Sequence, residues 1–130
     1  MYIDSLVLIW ESGRGVITIP GYLLVDWDVS NVKSMHRMFY VCKELESVSD
    51  ISNWNVSKVT DMSFMFGDCE SFNQDLSRWN VSSVTNMYGM FFGCASFNQD
   101  ISNWDVSKVK NNTLMFLKCP IKDEYKPKFK

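Results

Sequence analysis

The sequence of this 130-residue chain predicts an α/β repeat solenoid: a leucine-rich-repeat-like, right-handed stack of about four coils, with short parallel strands and one short helix per coil. Two observations predict it. Tryptophan recurs at intervals of 27, 25 and 25 residues, and a cysteine follows each tryptophan after 15 residues. A fixed period of this length indicates one structural unit copied along the chain. The tryptophans are Trp27, Trp54, Trp79 and Trp104, and the cysteines are Cys42, Cys69, Cys94 and Cys119.

Further columns of identical residues keep the same register. Counted from each tryptophan, valine stands at +2 and +5, methionine at +8 and +11, and phenylalanine at +12, with Asn112 as the exception in the last +8 position. Positions +8, +11, +12 and +15 have the spacing of one helix face, so they predict a short helix in each repeat. The side chains at +7 are good N-caps for these helices. The +7 residues are Ser34, Asp61, Asn86 and Asn111.

Short strands are predicted at 48–52, 73–77 and 98–102, where copies from neighbouring coils would pair in parallel. Between the strands and helices, the apolar columns predict one continuous core. Its central members are Trp54, Val56, Met65, Phe66, Cys69, Phe72, Trp79, Val81, Met90, Phe91, Cys94 and Phe97. Asparagine and glutamine at 73, 74, 98 and 99 are expected to form side-chain ladders between coils.

Three parts of the chain are distinguished. Residues 1–26 contain two β-rich runs around a glycine-containing turn, which predicts an N-terminal hairpin that caps the first coil. Residues 27–121 are the four repeats, and residues 122–130 are a charged C-terminal tail that we expect to be solvated. The last repeat is atypical, with Lys122 aligned on the phenylalanine column of Phe72 and Phe97.

Composition excludes several classes of function. The net charge is −2 and the hydrophobic content is 46%, so no strongly basic surface favours nucleic acid. No run approaches the roughly 18 apolar residues of a membrane span. The first residues lack the basic and apolar regions of a signal peptide. We therefore expect a soluble chain without an export address in the residues given, and no membrane insertion.

The residues then carry a family resemblance. Met-x-x-Met-Phe-x-x-Cys, followed by Ser-Phe-Asn-Gln-Asp-Leu/Ile-Ser-x-Trp-Asx-Val-Ser-x-Val, resembles the 25-residue repeat of BspA-like leucine-rich-repeat surface proteins. That repeat is typical of mycoplasma-type surface proteins and also occurs in large DNA viruses. The resemblance implies a surface or host-interaction role, at a cell surface or in a virus-encoded protein. It implies no catalytic residues.

No constellation in the sequence points to catalysis, a cofactor or a metal. One cysteine per coil gives a row that cannot surround one zinc ion, so we expect buried free thiols, with disulfides between neighbouring coils as the alternative. The column of Asp50, Asp75 and Asp100 leaves calcium as a lesser alternative to a structural role. His36, the only histidine, is expected to be exposed and incidental.

The sequence therefore favours a non-enzymatic protein–protein interaction module of surface or host-interaction type. The alternative is a structural subunit of a larger assembly, such as a virion or surface layer, that self-associates through its coil ends. A protein partner is expected in both cases, and the sequence identifies neither the partner nor the binding residues. Glycosylation at the Asn55, Asn80 or Asn111 sequons is a minor hypothesis, because an Asx residue at such positions more often forms a turn.

Overall fold

A computed structural model describes residues 27–42 and 50–130 of the chain. In it the four repeats lie side by side in chain order. Three isolated parallel β-bridges join them through the residues at +7, pairing Ser34 with Asp61, Asp61 with Asn86, and Asn86 with Asn111. The predicted N-terminal hairpin falls on residues 1–26 and so lies outside the described residues, as do residues 48 and 49 of the first predicted strand.

Each repeat continues from its bridge into a turn segment, which we define as residues 35–42, 62–69, 87–94 and 112–119. In the first three turn segments, alternate N–H groups donate to carbonyls of the following repeat, over 2.6–3.0 Å. The N–H groups at +11, +13 and +15 donate to the carbonyl three residues earlier in the same segment, as Met65 does to Met62, and the N–H at +9 donates to the side chain at +7. These are consecutive β-turns.

The backbone of the turn segments is left-handed at two positions in every repeat. These positions are +10 and +14, and φ lies between 52° and 72° at all eight of them. The third repeat has glycine at both, Gly89 and Gly93, whereas the other repeats place non-glycine residues there at a cost in strain. An α-helix cannot pass through such positions, because its residues all have negative φ.

The predicted α/β solenoid is therefore wrong. The residues that the structure describes contain no α-helix and no β-strand, and their only helical element is the 3₁₀ helix Asp123–Tyr125. The predicted helices fail because half of the N–H groups in each of the first three turn segments bond to the next repeat, and because every turn segment has two residues with positive φ. The predicted strands fail because 73–77 and 98–102 contain turns. Asp75 and Asp100 each accept the N–H of the serine two residues later.

The predicted N-caps do accept backbone hydrogen bonds, although no helix follows. Asp61, Asn86 and Asn111 accept the N–H two residues later over 2.8–3.0 Å, so each starts a chain of turns instead. The residues at +1 behave alike, which confirms that the asparagines of two sequons form Asx turns. These +1 residues are Asp28, Asn55, Asn80 and Asp105.

The core prediction is confirmed, since all twelve residues named for it are buried. Phenylalanines at +12 form a continuous stack of nearly parallel rings, with centroids 5.6–5.8 Å apart. The indole N–H of Trp79 donates to the carbonyl of Ile51 in the repeat before it, and that of Trp104 donates to Leu76, over 3.0 and 2.9 Å. The buried indole nitrogens of both tryptophans are thereby satisfied. The Asn/Gln ladder is also present, with Asn98 N–H and Gln99 Nε2 both donating to Asn73 Oδ1.

The C-terminal tail packs against the last repeat. Ile121 and Pro127 are buried, Tyr125 and Phe129 contact the core, and the N–H of Ile101 donates to Tyr125. The expectation of a solvated tail is therefore wrong for these apolar residues, whereas the charged residues at 122–124, 128 and 130 are exposed. Ile121 takes the buried slot that the sequence alignment assigned to Lys122, because Lys122 N–H bonds to Asn98 as Asn98 bonds to Asn73. No helix among the described residues is long and apolar enough to cross a membrane.

Candidate functional site

Four half-buried aromatic residues lie on the outside of the first three turn segments. They occupy positions +9, +10 and +13, which lie between the inward-facing core positions +8, +11, +12 and +15. We call them, together with the exposed Arg37, the aromatic surface. Its aromatic members are Tyr40, Phe64, Tyr88 and Phe92.

Phe64 is the centre of the aromatic surface. Its ring makes edge-to-face contacts with three others, at centroid distances of 5.9 Å to Tyr40, 5.1 Å to Tyr88 and 6.4 Å to Phe92. The guanidinium of Arg37 lies 5.6 Å from the centroid of Phe64 and 5.4 Å from that of Tyr40. Edge-to-face rings and a cation over a ring face are mutually attractive, so these side chains hold one another in place.

Two glycines make room for these rings. A Cβ at Gly89 would lie 2.6 Å from the ring of Phe64, and one at Gly67 would lie 2.8 Å from the ring of Tyr40. Each ring therefore lies across the backbone of the following repeat. Because the glycine and the ring belong to different repeats, the aromatic surface exists only where the repeats are stacked.

Three polar side chains form a hydrogen-bonded chain that links the first repeat to the second. Ser63, which is 4% exposed, lies with its hydroxyl 2.6 Å from Asp61 Oδ1 and 2.6 Å from His36 Nδ1. Because the single hydroxyl proton is donated to the carboxylate, the proton of the histidine contact belongs to Nδ1. His36 is half-buried and joins two repeats, so the expectation that it is exposed and incidental is wrong. Ser63 thus links His36 of the first repeat to Asp61 of the second, and at 4% exposure its hydroxyl is shielded from solvent.

The column of Asp50, Asp75 and Asp100 lies on another face. The hydroxyl and the N–H of Ser102 hydrogen-bond to Asp100 and hold the pKa of that carboxyl below its ordinary value. Serines two residues later lower the pKa of the equivalent carboxyls in the same way. An open depression of about 240 Å³ lies between Asp75 and Asp100. Among the described residues, no three His, Cys, Asp or Glu side chains are grouped as a metal site.

None of the four cysteines, all of which lie among the described residues, forms a disulfide bond, and they occupy the same position in successive repeats. Cys69 and Cys94 are buried, and their thiols point at carbonyl oxygens of the preceding repeat, Phe39 at 2.8 Å and Phe66 at 2.9 Å. Burial raises the pKa of both thiols well above the ordinary value. The predicted row of buried free thiols is confirmed for these two, whereas Cys42 and Cys119 are half-buried.

The sequence named no binding residue, and the structure brings together the five residues of the aromatic surface, which the repeat columns did not single out.

Comparison with known proteins relates the chain to one family. No curated protein and no solved structure matches it. The sequence model of one family, described as "Mycoplasma protein of unknown function, DUF285", matches residues 19–126.

This match agrees with the mycoplasma-type repeat proteins that the sequence resembles, although it does not extend to the BspA-like leucine-rich-repeat class. It covers all four repeats, the bridges and the whole aromatic surface. Because the matched residues make up well over half of the chain, the chain belongs to this Mycoplasma family, DUF285.

Proposed function

We propose that the chain is a non-enzymatic protein–protein interaction module of surface or host-interaction type, and that the aromatic surface binds the partner. One observation carries the proposal: four aromatic rings and an arginine are clustered, half-exposed and fixed against glycines of the neighbouring repeat. Tyrosine, phenylalanine and arginine are enriched in protein interfaces, and tyrosine and arginine are frequent hot spots.

Preorganisation strengthens the argument. A flexible aromatic side chain loses rotamer freedom on binding, at about 0.5–1.5 kcal/mol for each one immobilised. Phe64 is already held between Tyr40, Tyr88 and Phe92, so a partner orders few new groups there. The remaining exposed area of the rings is then available for contact at little entropic cost.

Photo-cross-linking tests the proposal. The photoreactive residue p-benzoylphenylalanine replaces Tyr88, and the labelled protein is irradiated on intact source cells and, separately, on host cells. A matched control carries the same group at Lys108, an exposed residue away from the aromatic surface. We expect a discrete adduct from position 88 and not from position 108.

A second substitution ties the adduct to the surface. In the position-88 protein, Phe92→Ala should weaken binding roughly 10- to 30-fold, as loss of a hot spot does, while the protein stays folded by circular dichroism. The same adduct from both labelled positions, or unchanged binding by a folded Phe92→Ala variant, would contradict the assignment.

The alternative is a structural subunit of a larger assembly, which would self-associate through its coil ends.

A further inference from the structure

Arg37 is the one charged member of the aromatic surface, and no carboxylate among the described residues pairs with it. Within the part of the chain that the structure describes, the one ion pair joins Lys126 to Asp123. No described residue accepts a hydrogen bond from the guanidinium of Arg37, and the side chain is exposed. Its N–H donors are therefore open to a partner.

The guanidinium is held at the junction of the first two repeats. Its central carbon lies 5.4 Å from the ring centroid of Tyr40 in its own repeat and 5.6 Å from that of Phe64 in the next. The backbone of Arg37 is left-handed, with φ of 55°, at the position from which Phe64 lies across Gly89 one repeat later. The side chain therefore extends towards the second repeat, and stacking on the rings fixes the charge before a partner arrives.

The charge around Arg37 matches a carboxylate better than a phosphate. The first three turn segments contain one basic side chain besides His36, namely Arg37, and one acidic side chain, Asp68. Asp68 lies against Gly93 of the third repeat instead of pairing with Arg37. A phosphate monoester carries about −1.5 to −2 charges at pH 7 and is typically bound by several arginines. A carboxylate carries one negative charge and meets a single guanidinium through two parallel hydrogen bonds.

The rings beyond Arg37 call for apolar groups at a defined spacing. Tyr88 and Phe92 lie on the third repeat, with centroids 5.1 Å and 6.4 Å from that of Phe64. Neighbouring repeats are separated by the 5.6–5.8 Å of the stacked phenylalanines. Since an extended chain rises about 3.3 Å per residue, an apolar residue roughly two to four positions from an acidic one reaches these rings.

We propose that the partner presents an aspartate or glutamate to Arg37 and, two to four residues away, apolar side chains that cover Tyr88 and Phe92. The carboxylate accepts two hydrogen bonds from the guanidinium while the rings bury the apolar groups. This inference rests on the proposed binding function and adds the chemistry of the partner, an acidic and apolar segment of a protein.

Selection from a phage-displayed library of random short peptides tests the proposal. The library is selected on the immobilised full chain and, in parallel, on Phe92→Ala. We expect the peptides that bind the chain but not the variant to be enriched in an acidic residue close to aromatic or aliphatic ones. Selection on Arg37→Gln should lose the enrichment in acidic residues and keep the apolar ones.

One selected peptide then measures the charge contact. It is synthesised with its acidic residue and with the matching amide, and the unaltered chain should bind the acidic form about tenfold more tightly. Arg37→Gln should bind both forms alike, and Arg37→Lys should show an intermediate preference because it keeps the charge without the paired donors. Lys108→Gln removes an equal charge at an exposed position away from the aromatic surface and should keep the full preference.

The two levels of the argument fail differently. Peptides that depend on Phe92 but lack acidic residues would overturn the carboxylate assignment and leave the binding surface in place. A preference for the acidic form that survives in folded Arg37→Gln would do the same. A library that yields no peptide dependent on Phe92 would contradict the proposed function itself, and the inference with it.

Discussion

Replacing Phe91 by alanine tests the packing at the centre of the stack. The ring is fully buried and stacks on three phenylalanines, with centroids 5.6 Å away at Phe66, 4.2 Å at Phe97 and 5.8 Å at Phe116. Phe→Ala changes in cores cost about 3–5 kcal/mol. Because each stacked pair adds roughly 0.5–1.5 kcal/mol beyond the buried area, we expect the upper part of that range, about 4–5 kcal/mol.

Urea denaturation followed by tryptophan fluorescence measures this loss. With a slope of about 2 kcal/mol per molar urea, the midpoint should fall by about 2 M. Phe91→Leu keeps most of the volume but removes the three stacked contacts, so it should cost at least about 1.5 kcal/mol and less than Phe91→Ala. Phe116→Ala, at the half-buried end of the same column, should cost less than Phe91→Ala. A loss below about 1 kcal/mol for Phe91→Ala would refute the inward placement of the +12 column.

Three further predictions concern the backbone, the thiols and the carboxylates. Gly89→Ala should destabilise the chain by more than about 1 kcal/mol, because its φ is positive and a Cβ there would meet the ring of Phe64. Leu114→Gly, at the equivalent left-handed position, should be neutral or stabilising, and thermal denaturation of both variants compares the two effects. Cys69 and Cys94 should react with a thiol reagent only on unfolding, and equal reaction rates in native and denatured protein would contradict their burial. The Asx-turn carboxyls have a folded-state pKa below the unfolded value, so their contribution to stability is present above about pH 4 and is lost as pH falls through the folded-state pKa. Asp100→Asn should therefore flatten the acid side of the stability profile, and an unchanged slope would count against it. NMR titration should find lowered pKa values at Asp28, Asp50, Asp75, Asp100 and Asp105.

The repeat columns predicted which residues are buried because the same positions face the core in successive repeats. Phe66 and Phe91 stack on each other, so a change of size in one repeat is felt in the next. Trp79 and Trp104 must each place an indole N–H on a carbonyl of the preceding repeat, which ties residue type to position. Side-chain identity at these positions is therefore dictated by the stack, and the sequence displays it directly.

The backbone path was not predicted because the spacing of buried residues does not distinguish a helix from consecutive turns. Both place +8, +11, +12 and +15 on one side. The sequence contained a signal against the helix, namely Gly89 and Gly93 four residues apart, at the two positions with positive φ. The equivalent residues of the second repeat are Phe64 and Asp68, so no glycine column exposed the pattern. Local propensity was overridden by hydrogen bonds to the neighbouring repeat.

The aromatic surface was missed for a related reason. Its members occupy different positions in different repeats, and their contacts cross junctions. A usable signal was the alternation of large and small residues within one column: Tyr40 precedes Gly67 at +13, and Phe64 precedes Gly89 at +10. In a stack of repeats, a ring followed by a glycine at the same position indicates a side chain that lies across the next backbone.

Stability and binding are coupled through the same junctions. Four N–H groups of a turn segment are satisfied only by the repeat that follows, so each repeat depends on its neighbour for half of its turn-segment hydrogen bonds. The middle repeats have neighbours on both sides, whereas the equivalent N–H groups of the last repeat have no acceptor among the described residues. The aromatic surface spans the first two junctions, where all the bonds are made, and Phe64 contacts rings on both sides of its own repeat. A change that loosens either junction should therefore weaken partner binding even where no aromatic residue is altered.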